Sequence, residues 1–329
     1  MNYRMILGLL AALVVALFCA SLLIGSSNLG LRESLSALTS GEGVAGMVLR
    51  EIRLPRALLG VLVGGALGLA GAAMQGFLRN PLAEPGLIGT SGSAALGAVI
   101  AIHTGAYAAF ALALPLAALM GAGVAVALVM ALAGREARAL TLILAGVALS
   151  ALAGALTALV LNLAPSPYAA AEIVFWLMGS LADRSMLHVT LAAPFVLAGG
   201  ALLLAQGRGL DALTLGEDAA ASLGVSLARL RLGVVVGSAM MVGAATAVTG
   251  AVGFVGLVVP HLLRRAVGAR PSRLLPASAL GGAAMLLAAD IATRLIVPER
   301  DLKLGVLTAL VGAPFLLRMI RQQAKEGGA

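Results

Sequence analysis

This chain cannot fold in water around one core, because charge vanishes from it for whole helix-lengths at a time. No charged residue occurs from Leu232 to Pro260, from Ala57 to Phe77, or from Gly105 to Gly134. A bilayer crossing needs about 20 apolar residues, so each run is long enough for at least one. Of the 329 residues, 61% are hydrophobic and 11% charged, whereas a soluble domain carries roughly 25% charged residues. A β-barrel would instead show short strands of alternating polarity. The sequence therefore predicts an all-α polytopic membrane protein, with 1–329 forming a single transmembrane domain.

Hydropathy and helix breakers divide the chain into ten crossings, near 5–25, 57–77, 87–104, 107–133, 141–162, 189–206, 231–250, 254–268, 274–296 and 304–322. The eighth is the shortest. The stretch 164–188 is too polar and too broken by proline to span; with Phe175 and Trp176 it suits a helix lying at the interface. The run Met5 to Gly25 has no small-x-small cleavage site before a soluble domain, so it reads as a retained helix. It holds the lone Cys19, which excludes a disulfide framework and is expected to be a buried, inert thiol.

The net charge of +8 does not point to nucleic acid, because the basic residues are scattered between apolar helices. They orient the chain instead. With the N-terminus in the cytoplasm, ten crossings put most of the basic residues inside, including Arg79, Arg135, Arg138, Arg208, Arg229, Arg231, Arg264, Arg265, Arg270 and Arg273. Both termini are then cytoplasmic. Helices opening at Ala57 and Arg231 each begin a block of four crossings that run in opposite senses, as inverted repeats do.

Four features bear on chemistry. Gly60, Gly64 and Gly68, like Gly233 and Gly237, recur every fourth residue and let helices approach closely; the same faces also suit the lining of a pathway. In the turn after Phe77, Asn80-Pro81 and Glu84-Pro85 end the helix, because proline lacks an amide hydrogen and restricts its predecessor. Such a polar turn is an ordinary connector or a gate. From Gly216 to Gly224, Glu217 and Asp218 favour a helix start and Gly224 a stop. That segment is a short cytoplasmic helix, either a solvated connector or a docking knob. Arg53 and Arg56 fall outside, against the positive-inside trend, near Glu51. Arg294 ends the ninth crossing four residues after Asp290, an intrahelical pairing distance. These arginines are either locally paired and solvated, or an outward cationic dock for acidic groups.

No G-x-x-x-x-G-K-[ST] stretch exists, so the chain has no phosphate-binding loop of that type. His103, His188 and His261 show no metal-ligand spacing and read as packing or interface residues. No nucleophile–base arrangement or pair of catalytic carboxylates is recognisable.

The stretches RLPRALLGVLVGGALGLAGAAMQGFLRNPLAEPGLIG, LILAGVALSAL, FWLMGSL, LTLGEDAAASLGV, GAVGFVGLVVPHLLRR and LLAADIATRL run in order through nearly the whole chain. In them the sequence resembles the permease subunit of type II binding-protein-dependent ABC importers for cobalamin, haem and iron–siderophore complexes. The resemblance implies a homodimer in the bacterial inner membrane, with ten helices per subunit and a central pathway on the two-fold axis. It also implies two cytoplasmic ATPase subunits, which hold ATP and Mg, and a periplasmic binding protein. This chain would bind no cofactor or metal and would not itself be an enzyme. The family pattern puts binding-protein docking at Arg53, Arg56 and Arg294. It puts a first cytoplasmic gate at Asn80, Pro81 and Leu82, and a second at Arg138, Ala139, Leu140 and Thr141, where the match is looser. ATPase coupling falls on Gly216, Glu217, Asp218, Ala219, Ala220, Ser222, Leu223 and Gly224, within coupling helices at about 209–228. Overall similarity leans towards haem permeases, with ferric siderophore and cobalamin as alternatives. An ion-coupled secondary transporter is a more remote reading; it would need intramembrane ionisable residues, for which Asp290 is the candidate.

Overall fold

A computed structural model describes residues 2–25, 43–110, 112–134, 139–296 and 302–326. The regular structure in these residues is helical. The helices are α1 (Tyr3–Leu23), α2 (Gly43–Phe77), α3 (Thr90–His103), α4 (Ala113–Ala133), α5 (Ala139–Asn162), α6 (Pro167–Leu177) and α7 (Met186–Ala205). They continue with α8 (Gly207–Leu213), α9 (Glu217–Ser222), α10 (Leu227–Thr249), α11 (Val255–Arg264), α12 (Pro271–Ile296) and α13 (Leu304–Glu326). Eight of them are long and apolar enough to cross a membrane: α1, α2, α4, α5, α7, α10, α12 and α13.

Small residues decide which helices form the centre. α2 and α12 make the most extensive contact in the chain. A Cβ on Gly64 would lie 2.8 Å from the Ala283 Cα, and one on Gly68 would overlap the Ser278 carbonyl oxygen. The glycines at every fourth position thus form a seam where two backbones touch. In lipid, packing of this kind replaces the hydrophobic drive that is missing between apolar helices. Gly237 repeats the device against Gly199 and Leu203, joining α10 to α7. α2, α10 and α12 are accordingly the most enclosed crossings, whereas α1, α5 and α13 are mostly exposed. Cys19 corrects the sequence expectation: it is exposed, not buried. α1 turns only a narrow side inward, with Ile6, Ser21 and Leu22 buried there, and Cys19 lies off that side.

The helix pairings are reciprocal. α2 packs on α11 and α12, while α10 packs on α3 and α4, and α2 and α10 pack on each other. Numbering the blocks α2–α5 and α10–α13, the first helix of each meets the second and third of the other. Each block also follows a long, short, long, long pattern. That is the contact signature of two repeats related by a pseudo-two-fold axis.

The short member of each block is a broken crossing. α3 has 14 residues and α11 has 10, so at 1.5 Å per residue they measure about 21 and 15 Å, against a hydrocarbon core of about 30 Å. A 3₁₀ turn at Pro85–Ile88 precedes α3, and non-helical residues 250–254 precede α11. The segments expected at 87–104 and 254–268 are therefore helical over only part of their length. The stretch 164–188 contains α6, which begins with a Ser166 cap on the Ala169 amide. In α2, Pro55 cannot continue the hydrogen-bond ladder, and the backbone widens into a π-helical turn over Val48–Arg53 just before it.

Candidate functional site

Three polar constellations sit along the bundle, two at its ends and one between them. At the first end, the π turn of α2 aims Arg53 inward. Its Nη1 donates to the carbonyls of Leu22 at 2.9 Å and Leu23 at 3.0 Å. Arg56 donates from Nε to both oxygens of Asp290, at 2.9 and 3.1 Å, and its Nη2 lies 2.9 Å from Oδ1. Arg294 reaches the same carboxylate at 2.7 Å through Nη2, which also meets the Ser21 hydroxyl at 2.6 Å. Its Nη1 takes the carbonyls of Ser21 and Ile24. Two guanidiniums therefore cap the C-terminal carbonyls of α1, where a helix presents unpaired acceptors and partial negative charge.

One carboxylate, Asp290, holds the other two features of this end together. The intrahelical pairing read from the sequence is present, but it is half of a larger hub joining α1, α2 and α12. Asp290 is 1% exposed and the Arg294 side chain 7%, while the Arg56 side chain is 18% exposed. Arg53 is buried at 3%. Among the described residues the cluster holds three guanidiniums and one carboxylate, and Arg56 is its most accessible member.

Between the ends, the two breaks meet. The Glu84 Oε1 accepts from the Phe254 amide at 3.1 Å, linking the residue before the 3₁₀ turn to the first residue before α11. Phe254 has φ +67°, a left-handed conformation costly for an aromatic residue. Gln75 donates to the Leu257 carbonyl at 3.2 Å and accepts from Arg264 at 2.7 Å, so α2 holds both ends of α11. We expect Glu84→Ala to release this junction at a cost of about 1 kcal/mol, the usual value of a helix-start cap. Phe254→Gly should relieve the strained backbone. Thermal unfolding in detergent measures both, and equal destabilisation by the two variants would show that strain and cap are not opposed there.

The turn residues lie next to this junction. Asn80 folds it through its side chain, whose Oδ1 accepts from the Leu82 amide at 2.9 Å, and its carbonyl takes the Ala83 amide at 3.1 Å. Pro81 and Leu82 are half-buried. Of the second expected gate, Arg138 lies outside the described residues; Ala139, Leu140 and Thr141 open α5, with Leu140 and Thr141 exposed.

At the far end, α8 packs on α12 and α2 through the buried Leu210 and Leu213, and α9 rests on α8 and α10. Gly216 (φ +107°) and Gly224 (φ +82°) bracket α9, conformations that glycine adopts without cost. Leu215 and Leu223 are 69% and 66% exposed beside it. Glu217, Asp218, Ser222 and Gly224 are also exposed, whereas Ala220 is buried and Ala219 half-buried. α8 is fastened by Asp211. The Oδ1 accepts from the Ser272 amide at 2.8 Å, and the Oδ2 accepts from the Ser272 hydroxyl and from Arg270, both at 2.7 Å. Burial pushes the Asp211 carboxyl up, but the Ser272 and Arg270 hydrogen bonds outweigh it, and the group sits below its ordinary value. A lowered value means the charged clamp is intact at neutral pH and is lost only as pH falls through that lowered value.

Sequence reasoning did not find Asp211. A signal for it existed: α12 opens with Arg270-Pro271-Ser272, with no Ser, Thr, Asp or Asn before it to accept from its first amides, so an acceptor has to come from elsewhere. Among the described residues no group of three His, Cys, Asp or Glu side chains comes together. His261 packs edge-on against Phe315 at 5.6 Å, and His188 closes a capping box with Ser185. A groove of about 490 Å³ lies between α3, α4 and α5 and has an apolar wall, including Leu96, Ile100, Met120 and Leu152.

A helical membrane protein with pseudo-symmetric halves, a broken crossing in each half and polar clusters at both ends is built as a transporter. The chain belongs to the FecCD transport family, whose model matches residues 13–322. It is 37% identical over 326 residues to the hemin transport system permease protein of Yersinia pestis, covering 98% of this chain and 97% of that one. It is 38% identical to the ferric enterobactin transport system permease protein of Escherichia coli, covering 97% and 96%. Against the vitamin B12 import system permease protein of Vibrio vulnificus it is 36% identical, covering 97% and 94%. A solved structure of an inward-facing metal-chelate type ABC transporter superposes with a TM-score of 0.85 at 33% identity, covering 97% of this chain and 99% of that one.

Proposed function

We propose that the chain is the inner-membrane permease of a type II ABC importer. It works as a homodimer, with two cytoplasmic ATPase subunits and a periplasmic binding protein. The cargo is haem or a similar iron chelate; ferric siderophore and cobalamin are the other members of that substrate class. Support comes from full-length similarity to permeases whose names cover all three cargoes. The observation that carries the proposal is that one helix, α12, has the arginine–aspartate hub at one end and the α8–α9 knob at the other. In this reading α9 seats in the ATPase, the hub faces the binding protein, and the junction at Asn80–Glu84 gates the route between them. Both termini are cytoplasmic.

The hub's role is to hold a positive surface in place. Arg53 and Arg294 fix the end of α1, and Arg56, the most exposed, meets acidic groups of the binding protein. Arg56→Glu should then weaken binding-protein association roughly tenfold, about 1.4 kcal/mol, mainly through the on-rate and its salt dependence. Surface plasmon resonance at two salt concentrations reads this, and unchanged association would reject the dock. The transport class is tested in proteoliposomes. Uptake should require ATP hydrolysis by the partner subunit, and uptake driven by a proton gradient without that subunit would overturn the importer reading. Haemin, a ferric catecholate siderophore and cobalamin, each presented by its binding protein, separate the cargoes.

A further inference from the structure

The knob is not free to swing on its linkers, because Asp211 fastens α8 to the first turn of α12. Three short hydrogen bonds make the clamp, two of them to Ser272. Leu210, fully buried, lies beside it: a Cβ on Gly76 near the end of α2 would have Pro271 at 3.5 Å and Leu210 at 3.7 Å as its neighbours. The first turn of α12 has need of an outside hold. Pro276 interrupts the ladder, so the Ser272 carbonyl lacks its usual amide partner four residues on. From Ser272 to Asp290 the helix runs about 27 Å, and the second end is fixed to α1 and α2 by the Asp290 hub. α1 also grips the first end, where the Tyr3 hydroxyl donates to the Arg273 carbonyl at 3.4 Å.

We propose that Asp211 is the positioning residue that couples the α8–α9 knob to α12, and that α12 carries a displacement of the knob to the Asp290 hub. Resting on the importer reading above, this names the part through which the ATPase end and the binding-protein end act on each other. Coupling needs such a two-ended element, biased by both sites. Asp211 sets where the knob stands relative to α12.

The test uses the permease with its ATPase subunits in lipid nanodiscs, after Cys19→Ser. A spin label on Ile296, exposed at the hub end of α12, reports the distance between the two copies with and without vanadate trapping. The unsubstituted clamp should give a nucleotide-dependent shift. Asp211→Ala should lower the population that shifts roughly tenfold, within the usual range for coupled sites, while ATPase association and basal hydrolysis persist. Rescue then separates positioning from a merely structural loss. A Cβ on Gly207 would lie 3.3 Å from the Ser272 Cβ, close to disulfide range. Gly207→Cys with Ser272→Cys in the Asp211→Ala background should therefore restore the shift when oxidised and lose it when reduced. An undiminished shift in Asp211→Ala, or an oxidised cross-link that restores nothing, overturns the coupling role. Failure of the unsubstituted permease to bind the ATPase would instead overturn the importer reading and, with it, this inference.

Discussion

Gly68→Ala is expected to destabilise the bundle by about 3 kcal/mol, the upper end of overpacking costs, although a single methyl group is added. The added Cβ would overlap the Ser278 carbonyl oxygen and lie 3.0 Å from its carbon. Neither partner can rotate away, because both are backbone, so α2 and α12 have to separate. Every contact along the seam, including that of Gly64 with Ala283, weakens with them. Gly65→Ala, three residues earlier on the same helix, is the control. Its Cβ would find only the Ala279 carbonyl oxygen, at 3.6 Å, ordinary contact. Alanine is intrinsically better than glycine in a helix by about 1 kcal/mol, so Gly65→Ala should be neutral or stabilising. Opposite signs at these two glycines of one helix, read by thermal unfolding in detergent, are what distinguish a packing seam from a generic need for small residues. Equal effects at the two positions would remove the seam as the explanation.

The seam was legible in the sequence because its cause is local: glycine every fourth residue in an uncharged helix has one geometric consequence. The same holds for α9. Two glycines and two acidic residues at its start specify a short helix without reference to the rest of the chain. The intrahelical reach of Asp290 to Arg294 was legible for the same reason, since four residues is one turn. What was hidden depends on residues far apart. Arg56 meets Asp290 across 234 residues, and Asp211 meets Ser272 across 61. Nothing in the composition around Asp211 separates a clamp from a solvated loop acid. The broken crossings were half visible. Proline and glycine marked the entries to α3 and α11, but an apolar run does not say how much of its length is helical. That Glu84 holds the Phe254 amide follows only once the two halves are folded onto each other. Cys19 misled for a related reason: an apolar run in a membrane protein does not distinguish a core face from an outer one.

Asp290→Asn is expected to cost about 3–5 kcal/mol, the range for removing one partner from a buried ion pair. The substitution keeps the size of the side chain and one acceptor oxygen, so the loss is one of charge rather than of packing. Arg294, nearly enclosed, is left with neutral acceptors at Ser21 and Ile24, and Arg56 loses a two-oxygen contact. Two guanidiniums that shared a carboxylate then repel each other across it. The end of α1 should loosen with the hub, seen as faster amide exchange around Ser21–Ile24 and a lower unfolding temperature. Arg56→Gln provides the contrast. Its side chain is 18% exposed, and water screens what remains, so the cost should be about 1 kcal/mol with α1 still protected. Binding-protein association should respond the other way round from stability, falling in Arg56→Gln although the fold is kept. An Asp290→Asn protein with wild-type unfolding temperature and unchanged exchange at α1 would show that the carboxylate is a bystander, and that the α1 carbonyls alone hold the arginines at this end of the bundle.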